Sequence, residues 1–290
     1  PQYREDLLLN KDGQNAMWNR CFWQGYPIGS AMKPAVALAA LQEGVIDTST
    51  QFRCGYTYYN ADMPDFHPLC MGTHGYLNVI EALTVSCNIF FYDTGYNLGI
   101  DNMNLYQRKL GLGELTGVEI YESDGTLAGP DEKEDWYGGD TIMAAIGQSD
   151  NLITPVQLAT YAATIANNGT RLRTHVVDKI TDYSRQTVLE ETKPEVVEEN
   201  IFDQEVLETV KGAMRNVVTS PSGTGYYSYG SYEIPIAAKT GTAQTYLPNS
   251  NEYDVDNITL IAYAPYDDPQ IAIGIIMEHG GKSVYAANVA

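Results

Sequence analysis

The stretch QGYPIGSAMKPAVALAALQEGV, residues 24–45, predicts an apolar helix that begins near Ser30 and stops at Gly44. Two polar residues, Ser30 and Lys33, stand three positions apart in its first turn. This spacing places the lysine amine one turn along the helix face from the hydroxyl, beside the free backbone N–H groups of a helix start. Since burial can lower the pKa of a lysine amine until it accepts a proton near neutral pH, the pair fits nucleophilic catalysis by serine.

A second motif, Ser86-Cys87-Asn88, follows the segment NVIEALTVS, which predicts a short amphipathic helix with Asn78 as N-cap and Glu81 in its third position. Ser86 and Asn88 are two positions apart and are expected to point to one side, with Cys87 on the other. Taken alone, Ser86 is an ordinary polar residue after a helix, so this motif counts only together with the others.

The third motif is Lys239-Thr240-Gly241, followed by Thr242, beside the strand-like run IPIAA. An edge strand offers unpaired N–H and C=O groups on which an extended peptide can lie, so this motif can face a cleft. A lone Lys-Thr-Gly is ordinarily a turn, and a lone lysine is ordinarily a surface residue whose stem covers apolar groups. Only the joint order of the three motifs favours a catalytic site.

Composition sets outer limits on function. The 290 residues are 44% hydrophobic, which predicts a substantial core in one large domain or two small ones. The chain has 17 basic and 37 acidic residues, and the formal charge of -20 disfavours nucleic acid and anionic lipid as partners. The sequence has no apolar run of about 18 residues, and PQYREDLLLN does not resemble a signal peptide.

Local patterns predict an α+β domain over residues 1–290. Loops are expected at 1–29, at 50–78 with short strands, and at 174–200 as a solvated strand-and-loop segment. Five helices are expected: at about 30–43, in NVIEALTVS, in IFFYDTGYNLG, after the Thr154 cap with Pro155, and at about 203–217. The tail from IPIAAKTGTAQTY to IAIGIIMEH predicts two or three adjacent antiparallel strands.

The order S-x-x-K, S-x-N, K-T-G resembles that of the penicillin-binding proteins and serine β-lactamases. The words GSAMKP, EALTVSCNIFFYDTG, AAIGQSDNLITPVQLATYAATIANNGT and AAKTGTAQ are similar to the transpeptidase domain of class B penicillin-binding proteins, especially the elongation-type branch. The likeness runs from about Asn19 to about Glu278. It implies an antiparallel sheet flanked by helices, with an all-helical subdomain.

The resemblance also implies roles for the motif residues. Ser30 would be the acylated nucleophile and Lys33 the general base of acylation, while Ser86 and Asn88 would relay protons and bind the substrate amide. Gln148, in IGQ, is interpreted as structural. No cofactor is implied for catalysis.

On the third wall of the cleft, the resemblance assigns Lys239, Thr240 and Gly241 to holding the substrate's terminal carboxylate and the strand edge. The oxyanion hole would use the backbone N–H groups of Ser30 and Thr242. The activity implied is a serine D,D-transpeptidase that cross-links peptidoglycan stem peptides and is acylated by β-lactam antibiotics.

Three other activities share the acyl-enzyme step. A class A β-lactamase needs a glutamate in an E-x-x-L-N word, which this chain lacks, and a class D enzyme resembles S-x-V where this chain has Asn88. Small carboxypeptidases resemble S-G-N where this chain has S-C-N. Transpeptidation is favoured, with a D,D-carboxypeptidase or a non-catalytic penicillin-recognising sensor as alternatives.

The resemblance further implies parts outside residues 1–290: a first strand, a closing helix, an N-terminal pedestal and a single membrane anchor, with this domain outside the cell membrane. A membrane glycosyltransferase of the elongation machinery is the implied partner. These expectations rest on the resemblance alone.

Six potential metal ligands lie between the first two motifs and at the second: Cys54, Asp65, His67, Cys70, His74 and Cys87. Thiolates and imidazole are the ligands of tetrahedral zinc sites, although the spacing is not that of a zinc finger. We expect Cys54, Cys70 and His74 as ligands with Cys87 as the fourth, and Asp65 or His67 as substitutes. A Cys54–Cys70 disulfide and free thiols stay open as alternatives.

Overall fold

The computed structural model describes residues 2–10, 15–245, 255–281, 286 and 289–290. The α-helices in these ranges are α1 Gln2–Leu8, α2 Arg20–Trp23, α3 Lys33–Gln42, α4 Val79–Thr84, α5 Asn88–Leu98, α6 Ile100–Lys109, α7 Gly138–Ala144, α8 Pro155–Ala166, α9 Gln204–Thr219 and α10 Tyr226–Tyr229. The strands are β1 Phe52–Cys54, β2 Gly75–Leu77, β3 Arg171–Leu172, β4 Lys179–Thr181, β5 Val188–Glu191, β6 Val196–Glu198, β7 Ala237–Ala243, β8 Asn257–Ala264 and β9 Ile271–Met277. None of the described helices is long and apolar enough to cross a membrane.

The main sheet has the strand order β7-β8-β9, with both pairs antiparallel. Strand β7 lies at the edge, with Lys239 opposite Ile261, and helices α8 and α9 pack against β9 and β7. The remaining strands form two-stranded pairs, β1 with β2, β3 with β6 and β4 with β5. The prediction of an α+β fold with antiparallel strands in the tail is confirmed.

Helix α3 runs through the centre of the helical part of the domain. Its residues from Lys33 to Ala40 are all buried, and it packs against α5, α6 and α9. A helix that is apolar all round is stable only when other elements cover every face. A turn of 3-10 helix, Gly29–Met32, precedes it, so Ser30 and Lys33 are held by a rigid element.

Two glycines let the edge strand approach this turn. A Cβ on Gly29, which has a φ of 52°, would overlap the carbonyl oxygen of Thr242. A Cβ on Gly241 would overlap the Thr259 hydroxyl, which itself donates to the carbonyl of Ile28 at 2.6 Å. The glycine of Lys-Thr-Gly is therefore required by packing, since any larger residue would push β7 away from the turn that carries Ser30.

Most of the predicted helices are confirmed with their caps. Asn78 accepts from the N–H of Glu81 in a capping box, and Thr154 caps α8 with Pro155 in the first position. The expectation of loop over 1–29 is wrong, because α1 and α2 lie there. Helix α2 is one turn, and Trp23 holds it in place by donating its indole N–H to the carbonyl of Tyr121 at 2.9 Å.

Helices α6 and α7 were not predicted. The first turn of α7 contains Gly138 and Gly139, which carry no helix signal, and its stability comes from buried residues such as Ile142. Helix α6 buries Met103, Tyr106 and Gln107, and most of its other residues are polar. Both cases show tertiary burial stabilising segments of weak local preference.

Candidate active site

Lys33 joins two of the three motifs. Its Nζ donates to Asn88 Oδ1 at 2.7 Å and to the Ser86 carbonyl at 2.8 Å, and it lies 3.3 Å from Ser86 Oγ. The side chain is fully buried, with Nζ 5.5 Å from the centre of the Phe91 ring. The prediction that Ser86 and Asn88 point to one side, opposite Cys87, is confirmed, since both meet Lys33 while Cys87 Sγ lies against Cys70 Sγ.

Ser86 brings in the third motif. Its Oγ accepts from Lys239 Nζ at 2.9 Å, so one hydroxyl stands between two lysine amines. Its φ of 58° places it in the left-handed region, which turns the chain between α4 and α5. A hydroxyl has one proton to donate and two lone pairs. Ser86 can therefore accept a proton from one neighbouring group while it donates its own proton to another.

Burial sets the charge of both lysines. It lowers the pKa of Lys33 to about 7, although the electrostatic influence of the nearby Cys87 and Cys70 side chains opposes the shift. Burial, and then the positive charge of Lys33, lower the pKa of Lys239 well below its usual value. The neutral form of Lys33 is therefore accessible near neutral pH, where it is available as a base.

Ser30 is half-buried at the mouth of this network. Its hydroxyl and its backbone N–H have no hydrogen-bond partner within the described ranges of the chain. The preceding N–H, of Gly29, donates to the carbonyl of Gly147 at 3.0 Å, which ties the turn to the segment that carries Gln148. The hydroxyl of Ser30 is thus free to attack a substrate, and its N–H is free to bind an oxyanion.

One further residue at the site, Thr224, was not found from the sequence. Its hydroxyl lies 2.7 Å from that of Thr240, and its N–H donates to the carbonyl of Thr84. Thr224 is exposed, and Lys239 Nζ also reaches the Thr240 carbonyl at 2.8 Å. The Ser-Gly-Thr-Gly loop gave no signal in itself, because only the fold brings it against β7.

The family model described as the penicillin binding protein transpeptidase domain matches residues 2–290. The chain belongs to this family. The family that the order of the three motifs predicted is therefore confirmed for this penicillin-binding protein domain.

Relatives agree with the family match. Peptidoglycan D,D-transpeptidase MrdA of Haemophilus influenzae is 32% identical over 98% of this chain and 46% of its own length. The crystal structure of Pseudomonas aeruginosa PBP2 in complex with WCK 5153 superposes with a TM-score of 0.83 at 28% identity, over 94% of this chain and 61% of that chain. These relatives support the elongation-type branch of class B penicillin-binding proteins.

A third comparison is a structure described as the structural coordination of polymerization and crosslinking by a peptidoglycan synthase complex. It has a TM-score of 0.84 at 28% identity, over 99% of this chain and 48% of that chain. The present chain thus spans about half the length of the MrdA relative and about half the length of the matched chain in the synthase complex.

The four expected metal ligands of this penicillin-binding protein domain lie together. Cys54, Cys70, His74 and Cys87 place their ligand atoms within 4.8 Å of one another. All four cysteines of the chain are free, and the three in this cluster are buried. The proposed substitutes lie elsewhere: Asp65 is exposed, and His67 Nδ1 is 3.3 Å from the carbonyl of Tyr58.

The distances in the cluster fit a tetrahedral zinc ion. With Zn–S near 2.3 Å and Zn–N near 2.0 Å, such a site has S···S edges of about 3.8 Å and S···N edges of about 3.5 Å. Cys70 Sγ is 3.9 Å from Cys87 Sγ, and His74 Nδ1 is 3.4 Å from Cys54 Sγ and 3.6 Å from Cys70 Sγ. A disulfide would need its sulfurs about 2.05 Å apart.

The cluster touches the catalytic wall directly. The backbone N–H of Asn88 donates to Cys70 Sγ at 3.2 Å, and the side-chain Nδ2 of Asn88 donates to the carbonyl of Leu69 at 3.2 Å. Hydrogen bonds from the Cys87 thiol and backbone N–H groups lower the pKa of Cys70. A group that holds Cys70 in position therefore also holds Asn88 in position.

Proposed function

We propose that this domain is a serine D,D-transpeptidase that cross-links peptidoglycan stem peptides through an acyl-enzyme on Ser30. The observation that carries the proposal is the network in which buried Lys33 binds Ser86 and Asn88 while Lys239 binds Ser86 from the other side. Family membership and the MrdA relative support it.

In the acylation step, neutral Lys33 takes the proton of Ser30, and Oγ attacks the carbonyl between the two terminal D-alanines. Asn88 binds the preceding amide, and the N–H groups of Ser30 and Thr242 stabilise the oxyanion. Ser86 passes the proton from Lys33 to the departing D-alanine amine, which leaves an ester on Ser30.

The third wall would hold the end of the peptide. The terminal carboxylate of the substrate lies against Thr240 and Thr224, near the amine of Lys239. An amine of a second stem peptide then attacks the ester, and the released Ser30 recovers its proton. β-Lactams enter the same path, because their strained amide takes the place of the scissile peptide bond.

A stem-peptide mimic ending in D-Ala-D-Ala, offered with an amine acceptor, tests the reaction. The expected result is an amide-exchange product together with released D-alanine. Hydrolysis without amide exchange would instead show a D,D-carboxypeptidase, and acylation without any turnover would show a penicillin-recognising sensor.

We expect Thr224→Val to lower the second-order rate constant of acylation by about tenfold, because the isosteric side chain cannot hydrogen-bond the carboxylate or orient Thr240. Thr224→Ser keeps the hydroxyl and serves as the matched control, with a rate constant within about twofold of the wild type. Stopped-flow measurements with a fluorescent penicillin give both values. Equal rates in wild type and Thr224→Val would contradict this role.

For the whole protein, we propose a single-pass anchor in the cell membrane with this domain outside the cytoplasm, and a membrane glycosyltransferase of the elongation machinery as partner. Two observations support this: the likeness to a chain from a peptidoglycan synthase complex and the length of the relatives. Copurification of the full-length protein with such a glycosyltransferase is the test.

We also propose a structural zinc ion held by Cys54, Cys70, His74 and Cys87. It would keep the thiols deprotonated and brace the loop against Asn88, because Cys70 accepts the N–H of Asn88. A closed set of four protein ligands leaves no position for substrate, so the ion supplies stability and takes no part in the chemistry.

Protein purified without chelator should contain about one zinc per chain, and less than about 0.2 would refute the site. Cys54→Ser should lose the metal and lower the unfolding temperature, while Cys21→Ser, an exposed cysteine outside the cluster, should keep it. Elemental analysis measures the metal. Titration of thiols after denaturation in chelator should find all four, whereas a disulfide would leave two.

A further inference from the structure

The amine of Lys33 has no carboxylate partner for the charge that it gains in the proposed acylation step. Its Nζ donates to Asn88 Oδ1 at 2.7 Å and to the Ser86 carbonyl at 2.8 Å, and both acceptors are uncharged. The ion pairs among the described residues include neither Lys33 nor Lys239. A buried cation without a counter-ion is costly, so the protonated amine needs another source of negative potential.

The ring of Phe91 supplies negative potential at this position. Phe91 lies in α5 three residues after Asn88, and residues three apart share one face of a helix. The ring is fully buried, and Lys33 Nζ stands over its face, 5.5 Å from the ring centre. The face of an aromatic ring is negative and attracts a cation that lies within about 6 Å of its centre. Phe90 packs edge-on against the ring, with 5.5 Å between the two ring centres, and holds its orientation.

We propose that Phe91 is a positioning residue whose ring face stabilises the ammonium that Lys33 becomes during acylation. In this step the O–H bond of Ser30 breaks, an N–H bond forms on Lys33, and an electron pair of Ser30 Oγ forms the bond to the substrate carbonyl carbon. The pair displaced from the carbonyl moves onto its oxygen. The inference rests on the proposed function, because it takes Lys33 as the base that receives the proton of Ser30.

The ring acts on the transition state more than on the resting amine. Neutral Lys33 gains little from the ring, whereas the attraction grows as the amine becomes charged, and an interaction that strengthens in the transition state raises the rate. The side chains of Cys87 and Cys70 also favour the charged amine, since they oppose the lowering of the Lys33 pKa by burial. The contribution of the ring is therefore measured by a change in the ring alone.

The test replaces Phe91 with mono-, di- and trifluorophenylalanine, which weaken the negative potential of the ring face in steps and keep its shape nearly unchanged. Stopped flow with a fluorescent penicillin at about pH 9, above the Lys33 pKa of about 7, measures acylation when the amine starts neutral. We expect the acylation rate constant to fall with each fluorine, by about five- to tenfold for the trifluoro ring.

The same series at Phe90 is the matched control. Phe90 is buried in the same helix, and none of the described cations stands over its ring, so its rate constants should stay within about twofold of the wild type. The unfolding temperature should stay at the wild-type value in both series. If the more heavily fluorinated protein fails to fold, the monofluoro variant still gives the direction and the slope.

Two outcomes would overturn the role of Phe91. Equal rate constants across its series, with wild-type acylation intact, would mean that the ring face does not act on the amine. An equal fall in both series would mean that fluorine alters the packing of α5. Wild-type protein that is not acylated at Ser30 would refute the proposed function itself, which is a distinct result.

Discussion

Ser30→Ala abolishes covalent labelling by a fluorescent penicillin, with the acylation rate constant at least about a thousandfold below that of the wild type. The reason is chemical: in the proposed mechanism the hydroxyl of Ser30 is the nucleophile, and alanine has no group that forms the ester. The neighbouring hydroxyl of Ser86 cannot replace it, because that oxygen is already held between Lys33 and Lys239. Mass spectrometry after β-lactam exposure measures the adduct and locates it.

The control for this variant is Ser184→Ala. Ser184 lies between β4 and β5, and its hydroxyl donates to Asp182 in its own turn, so its removal should leave labelling unchanged. The unfolding temperature of Ser30→Ala should match that of the wild type, because the residue makes no side-chain hydrogen bond within the described chain. Persistent labelling of Ser30→Ala at another residue would overturn the assignment.

Lys33→Met lowers the acylation rate constant by about a thousandfold, the usual size of a lost general base. Methionine fills the buried space but cannot take the proton of Ser30. Lys239 does not substitute for it: without the positive charge of Lys33, one of the causes that lower its pKa is gone, so it holds its proton more tightly. Ser86 and Asn88 also lose a donor, which adds a stability cost.

The same residue sets the pH dependence. The pKa of Lys33 is lowered from 10.5 to about 7, and in the proposed mechanism the neutral amine is the active form. The acylation rate constant should therefore rise about tenfold per pH unit below that pKa and level off above it. The titratable groups around Lys33 are Lys239 and the side chains of Cys70 and Cys87, and the two cysteines oppose the lowering of the Lys33 pKa electrostatically.

Stopped-flow acylation between pH 5 and 9, on the order of one point per half unit, gives the profile. In Lys33→Met the rise through pH 7 should disappear along with most of the rate. Lys211→Met is the matched control, since Lys211 is also a half-buried lysine with a lowered pKa, yet it donates to Ala166 and Asn168, which lie outside the three motifs. A profile with its rise intact in Lys33→Met would assign the base to another group.

The sequence alone determined the parts of this domain that depend on near neighbours. The turn before α3, the capping box of Asn78 and Glu81, and the Thr154 cap are local, because side chains one helical turn apart meet wherever the helix lies. The order of three motifs indicated the family, and the ligand types in the cysteine segment predicted a zinc site, which stays a prediction. Helices α6 and α7 were not predicted from the sequence, because their stability comes from burial against distant elements.

Only the tertiary structure decided which distant residues these side chains contact and how deeply they are buried. Lys33 and Lys239 lie more than two hundred positions apart, and it is packing around Ser86 that brings their amines to one hydroxyl and removes the water that would keep them charged. Thr224 meets Thr240, and Cys70 meets Asn88, for the same reason. Spacing along a chain predicts contacts across one turn of helix, whereas shared burial and distances between segments follow from how the whole core packs.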